Sequence, residues 1–128
     1  MSSIATPQEV IGQSSADLLR AALAELRRPI GDRNGWQQGA YGSANGCKCA
    51  AGAIWAAAGR LNGYDSLDGT PQTEAAFRLL ATAAGCDPSS VIDPESQVIS
   101  WNDRRIRTFP EVEAAFERAI ELAEAGAR

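Results

Sequence analysis

The chain has 128 residues, a formal net charge of −4 at pH 7 and no histidine. This length fits one domain with one hydrophobic core, and the acidic balance disfavours a nucleic-acid partner, which would favour clustered Lys and Arg in excess. Without imidazole, Ser-His-Asp and Cys-His catalysis and all His-containing metal sites are excluded.

Cysteine usage and the N-terminal sequence predict a cytoplasmic protein with free thiols. Three cysteines cannot all pair within one chain, and residues 1–7 have neither a basic segment nor an apolar one. The longest apolar stretch, residues 49–59, is far shorter than the roughly 18 to 20 apolar residues that a membrane span requires. No membrane association is predicted.

The first predicted helix follows residues 6–9, Thr-Pro-Gln-Glu, which fit a capping box with proline at the first helical position. Apolar side chains then recur at helical spacing up to an Arg-Arg-Pro sequence, namely Leu19, Ala22, Leu23 and Leu26. Because Gly-Gln-Ser-Ser at residues 12–15 interrupts the pattern, the helix is expected to begin either at Thr6 or near Ser15.

A glycine-rich loop and an apolar helix are predicted next. Residues 29–46 contain five glycines together with Asn, Asp and Ser, which favour a loop that holds at most a short hairpin or turn. Residues 49–59 consist mostly of Ala and Gly around Ile54 and Trp55, and they have no polar face. Since a helix without a polar face must be enclosed on all sides, this segment is predicted to be the central helix of the core.

Three further helix starts complete the predicted fold. Thr70-Pro71 begins an amphipathic helix that ends at Gly85, Asp-Pro-Glu at residues 93–95 is another candidate start, and Thr108 with Glu111 begins a last helix with an acidic outer face. The fold class is therefore mainly α. We expect residues 1–128 to form a compact single-domain bundle of four or five helices, with those after Thr6, Thr70 and Thr108 enclosing the central Ala/Gly-rich helix.

The cysteines raise the question of metal or thiol chemistry. Side chains two residues apart point to nearly opposite sides of a helix, and with Cys86 the chain offers only three thiols, so no metal and no cofactor are predicted. Cys49 is interpreted as a small buried apolar residue. Cys47, at the expected helix N-terminus, is a candidate reactive thiol but lacks a histidine base, so no catalytic residue is assigned.

Two other segments could bind a ligand or partner. Residues 42–48 combine glycines with a lysine before a helix, as in a phosphate cradle, but the spacing is not that of a Walker sequence and a surface connection is preferred. Residues 101–107, Trp-Asn-Asp-Arg-Arg-Ile-Arg, hold the residue types of interface hot spots. The preferred structural alternative packs Trp101 in the core, uses Asn102 and Asp103 to turn the chain and cap the last helix, and leaves the arginines solvated.

Three motifs together resemble an uncharacterised family of small proteins from actinobacteria and their phages. They are Gly-Trp-x-x-Gly-Ala at 35–40, Cys-x-x-Gly-Ala at 49–53 and Trp-Asn-Asp at 101–103 ahead of Thr-x-x-Glu-Val. The resemblance covers nearly the whole chain, although family members often carry a longer segment between the first two motifs. It implies no activity, cofactor or catalytic residue, and suggests a cytoplasmic accessory protein.

The predicted function is a non-enzymatic protein-interaction module that binds a host or bacterial protein. The candidate binding residues are Trp36, Tyr41, Cys47, Trp101, Asn102, Asp103, Arg104 and Arg107. The alternative is a small-ligand or nucleotide-binding protein that uses the loop before Cys47 and the arginines near Trp101 as an anion site, with thiol-dependent chemistry at Cys47. The sequence predicts no particular oligomeric state.

Overall fold

The structure, a computed structural model, describes residues 7–61 and 70–126. It contains five helices: α1 (Pro7–Arg27), α2 (Ala50–Ala57), α3 (Pro71–Ala83), α4 (Pro94–Asn102) and α5 (Phe109–Gly126). Across these two described ranges there is no strand, and only isolated bridges occur, all between residues 30 and 48. The mainly α fold with five helices is confirmed.

Helices α3 and α4 begin as their sequences predict. The Thr70 hydroxyl accepts a hydrogen bond from the backbone N–H of Thr73 (3.2 Å), and the Asp93 carboxylate accepts one from the N–H of Ser96 (3.1 Å). In each case a proline occupies the first helical position, where its missing N–H is not needed. The end of α3 is also confirmed, because Gly85 adopts a positive φ of 84° just past the last turn.

The two long helices, α1 and α5, run along each other. The predicted cap residue Thr6 lies outside the described residues, but α1 continues without a break through residues 12–15, so the predicted interruption is absent. At the start of α5, the Glu111 carboxylate accepts a hydrogen bond from the backbone N–H of Thr108 (2.9 Å), which is the reciprocal half of a capping box. Part of the acidic face of α5 pairs with α1, for instance Arg27 with Glu113 (2.7 Å).

The core surrounds α2, whose residues from Ala50 to Trp55 are all buried. Its principal neighbours are α1, α3 and α4, whereas α5 packs mainly on α1 and α3. The prediction that the helix after Thr108 encloses α2 is therefore wrong in this detail. The reason is that α2 is only eight residues long, and the glycine-rich loop covers one side of it at Gly52, next to the backbone of Tyr41. Among the described residues, no helix is both long enough and apolar enough to cross a membrane.

Candidate functional site

The glycine-rich loop is fastened to the end of α4 by one buried side chain. Asn102 is fully buried, and its Oδ1 accepts hydrogen bonds from the indole Nε1 of Trp36 (2.7 Å) and from the backbone N–H of Ala50 (2.9 Å). Its Nδ2 donates to the carbonyl of Gln37 (3.1 Å). Asn102 thus joins the loop, the start of α2 and the end of α4, and we refer to this cluster as the Asn102 lock.

Neighbouring polar groups extend the lock to the surface. The side-chain Nε2 of Gln38 donates to the carbonyls of Asn102 (2.9 Å) and Arg104 (2.7 Å), and the Asp103 carboxylate accepts from the backbone N–H of Gly39 (3.0 Å). The prediction that Asn102 and Asp103 cap the last helix is wrong. They end α4 and hold the loop, because a buried asparagine with two acceptor and two donor positions can serve several chain segments at once.

Both tryptophans near the lock are half-buried and pack against the core. The ring of Trp36 stacks on Phe109 at a centroid distance of 6.2 Å, and the guanidinium of Arg107 lies 4.6 Å from the centroid of Trp101. Arg107 also donates to the carbonyl of Trp101 (2.9 Å) and pairs with Glu111 (3.0 Å). The predicted core packing of Trp101 is confirmed, whereas Arg107 is held by these contacts rather than solvated.

Tyr41 takes part in a second polar cluster, one that the sequence analysis did not identify. The Tyr41 hydroxyl and the indole Nε1 of Trp55 both donate to Oε2 of Glu95, at 2.5 and 2.8 Å. Burial raises the pKa of Tyr41 well above its usual range, and the hydrogen bond to Glu95 raises it further. Tyr41 is therefore a neutral donor that helps to fix the Glu95 carboxylate in place.

A cleft of about 370 Å³ lies beside Glu95, between the first turns of α3 and α4. Its lining includes the rings of Trp55 and Phe77, the carboxylates of Glu74, Asp93 and Glu95, and the guanidinium of Arg78. None of the eight candidate binding residues lines this cleft. Three carboxylates against one guanidinium would favour a small organic cation over an anion.

Lys48 shows why the phosphate-cradle hypothesis does not fit the loop. The side chain is buried, and its ammonium donates to the carbonyls of Ala44 and Gly46 (both 3.0 Å) and pairs with Oε1 of Glu25 (2.9 Å). Three acceptors match the three N–H donors of an ammonium group, which leaves none for a phosphate. The only lysine of the chain therefore fastens the loop to α1 instead of facing a ligand.

The helix N-terminus predicted for Cys47 belongs to Cys49. Cys49 is the N-cap of α2, and its buried Sγ accepts a hydrogen bond from the backbone N–H of Gly52 (3.3 Å). Burial raises the pKa of the Cys49 thiol, which makes it a structural thiol rather than a nucleophile. Cys47 lies in the loop, half-buried, with its Sγ 3.7 Å from the carbonyl of Asn34. Within residues 7–61 and 70–126, no three Cys, Asp or Glu side chains gather as metal ligands would.

The Glu25–Lys48 pair should make stability depend on pH. Burial raises the pKa of Glu25, but the hydrogen bonds from Lys48 and Arg28 outweigh burial and hold it below its usual value. A carboxyl with a lowered folded-state pKa stabilises the fold above its unfolded pKa of about 4.3, and this stabilisation is lost as the pH falls through the folded-state value. Glu25→Gln should lower the free energy of unfolding at pH 7 by about 1–2 kcal/mol, because Lys48 is buried while the carboxylate is partly screened.

Urea unfolding between pH 7 and pH 3 checks this prediction. The difference between wild type and Glu25→Gln should shrink towards zero as the pH falls, because protonated Glu25 resembles glutamine. Glu121→Gln on the exposed face of α5 serves as the control and should match wild type throughout. An equal difference at every pH would mean that the charge of Glu25 does not contribute.

Comparison with known proteins gives one match. Residues 11–122 match a group described as "Family of unknown function (DUF6197)". No curated protein and no solved structure is detectably similar to the chain. The match spans helices α1 to α5, including the loop and the Asn102 lock.

Proposed function

The chain belongs to this family of unknown function (DUF6197), and we propose that it is a non-enzymatic protein-interaction module. The binding surface is the turn of residues 104–107, here called the arginine turn. The observation that carries the proposal is Ile106, which is 77% exposed on a turn closed by a hydrogen bond from the N–H of Arg107 to the carbonyl of Arg104 (2.8 Å). A large apolar side chain held out from a fixed turn suits insertion into an apolar pocket of a partner.

The arginine turn is supported on both sides by residues that the sequence analysis named as binding residues. Gln38 holds the carbonyl of Arg104, and the guanidinium of Arg107 rests on Trp101. In this proposal Trp101 and Arg107 position the turn, while the exposed Arg104, Arg105 and Ile106 touch the partner. Because the turn is already ordered in the free protein, little conformational entropy is lost on binding.

Charge favours an acidic partner protein. Arg104 and Arg105 are exposed, and neither forms an ion pair with any residue in the described ranges. Their charges would speed association with an acidic surface and make it sensitive to salt. The net charge of −4 opposes binding to a nucleic acid, so the proposal keeps a protein partner.

Location and origin belong to the same proposal. We place the protein in the cytoplasm of an actinobacterium or of a cell infected by an actinophage. The three cysteines that the structure leaves free suit a reducing compartment, and the three sequence motifs suit that origin. The partner would then be a host or bacterial protein encountered there.

Ile106→Asp tests the module directly. The substitution should leave the fold intact because the side chain is exposed, and it should reduce partner binding at least tenfold, since the apolar contact is lost and a like charge faces an acidic partner. The measurement is affinity capture from an actinobacterial lysate with quantitative mass spectrometry, followed by titration of the purified partner. The control is Ala114→Asp, which makes the same charge change on an exposed position of α5. Equal capture by Ile106→Asp and wild type would refute the proposal.

The cleft beside Glu95 supports the alternative, a small-ligand-binding protein. The same proteins can be heated with a panel of organic cations, nucleotides and sugars, because a ligand that binds only the folded state raises the unfolding temperature. A rise of several degrees with one ligand, abolished by Glu95→Gln, would favour this alternative. No change with any ligand would leave the interaction module as the better account.

A further inference from the structure

We infer that the arginine turn of one copy docks into an apolar groove at the opposite end of α4 in a second copy, so that the chain associates head to tail. The inference rests on the proposed function, because both use the arginine turn as the inserted element. It goes further by naming the occupant of the turn and the surface that receives it.

The starting observation is the distribution of exposed apolar side chains. Three large hydrophobic residues are exposed in the described part of the chain, namely Val91, Ile92 and Ile106. Ile106 lies just after the C-terminal end of α4, whereas Val91 and Ile92 lie just before its N-terminal end. The apolar surface left uncovered in residues 7–61 and 70–126 is thus concentrated at the two ends of one short helix.

The N-terminal end of α4 offers a receiving surface. A groove of about 270 Å³ lies between α3 and the loop before α4, and its lining includes Cys86, Pro88, Val91 and Ile92. Ile92 is 54% exposed and Val91 is fully exposed, so the groove is open to an incoming side chain. Its volume accommodates one branched aliphatic side chain such as that of Ile106.

The charges around the groove complement those of the arginine turn. Asp87 and Asp93 flank the exposed Val91 and Ile92 in the sequence, and hydrogen bonds from Ser89 and Ser96 respectively lower the pKa values of the two carboxyls. Both therefore carry a negative charge at neutral pH. Arg78 also lines the groove and offsets one of these charges, which leaves an acidic excess of one opposite the guanidinium groups of Arg104 and Arg105.

Geometry decides that this contact forms between copies. The two surfaces lie at opposite ends of a nine-residue helix, about 13.5 Å apart along its axis, so the turn cannot reach the groove of its own chain. A contact between different surfaces is heterologous, and each added copy leaves one free turn and one free groove. Because a single inserted side chain and its rim bury far less than the roughly 1,200 Å² of a stable interface, the association should be weak and concentration-dependent.

Sedimentation equilibrium with complementary variants tests the inference. Wild type should show a weight-average mass that rises above the monomer mass of 13.5 kDa as the concentration approaches the millimolar range. Ile106→Asp, which lacks the turn, and Ile92→Ser, which lacks the groove, should each stay monomeric. An equimolar mixture of the two should form a 1:1 heterodimer of twice 13.5 kDa, because the intact groove of the first receives the intact turn of the second. Ala114→Asp should behave like wild type.

Two results would overturn the inference: a wild type that stays monomeric at the highest concentration, or a mixture of the variants that forms no heterodimer. Partner capture separates this failure from that of the proposed function. If wild type is monomeric but Ile106→Asp no longer captures its partner, head-to-tail association is wrong and the interaction module stands. If self-association depends on Ile106 while capture does not, the separate partner is refuted and only the contact between copies is supported.

Discussion

Replacing Asn102 by alanine should lower the free energy of unfolding by about 3–5 kcal/mol, because buried polar groups on three segments lose their partner together. The indole N–H of Trp36 and the backbone N–H of Ala50 lose their acceptor, and the carbonyl of Gln37 loses a donor. Urea unfolding followed by circular dichroism measures the loss. Tryptophan fluorescence should also shift to the red at low urea concentration, as the loop separates from α4 and Trp36 becomes solvated.

Asn45→Ala provides the matched control, because Asn45 is an exposed asparagine in the same loop. Its stability should stay within about 0.5 kcal/mol of wild type. If Asn102→Ala were as stable as Asn45→Ala, the loop would be held by contacts other than the lock. The role of Asn102 would then be an open question of surface chemistry rather than of folding.

Local features of the sequence predicted most of the fold. The caps at Thr70, Asp93 and Glu111 depend on residues three or four positions away, and the apolar stripes of α3 and α5 depend on one helix face. Such patterns are fully present in the sequence. The buried character of α2 was also predictable, because a segment with no polar face has no stable exposed arrangement.

The polar clusters could not be predicted in the same way. Asn102 binds Trp36 and Gln37 across 66 and 65 positions of the sequence, and Glu95 binds Tyr41 across 54. Nothing in the local sequence tells an asparagine at a helix end that joins three segments from one that only turns the chain. The sequence analysis therefore named Trp36 and Asn102 correctly as important residues but predicted a different role for Asn102.

Exposure was the second property that the sequence did not reveal. Lys48 is buried although it is charged, because the loop folds its own carbonyls around the ammonium. Ile106 is exposed although it is apolar, and it was omitted from the candidate residues although its neighbours Arg104 and Arg107 were included. Its position outside every apolar stripe, between arginines, was the available indication that it faces solvent.

Gly52→Ala should destabilise the protein by about 3 kcal/mol, although alanine is the better helix former. On intrinsic propensity alone the substitution inside α2 would stabilise the helix by about 1 kcal/mol. In the structure, however, a Cβ at this position would overlap the carbonyl oxygen of Tyr41 and lie 2.8 Å from its carbonyl carbon. Urea unfolding gives the sign and size of the effect.

The expected reversal of sign follows from how firmly Tyr41 is held. Its carbonyl accepts a hydrogen bond from the N–H of Cys49 (3.3 Å) and its hydroxyl donates to Glu95, so the loop cannot move away from α2 without breaking both contacts. Gly126→Ala, at the end of α5 where a Cβ meets nothing within 4 Å, is the control and should leave stability unchanged or slightly raised. If Gly52→Ala were instead stabilising, the close approach of loop and helix would be wrong, and the support that the loop gives to the arginine turn through Gln38 would need another origin.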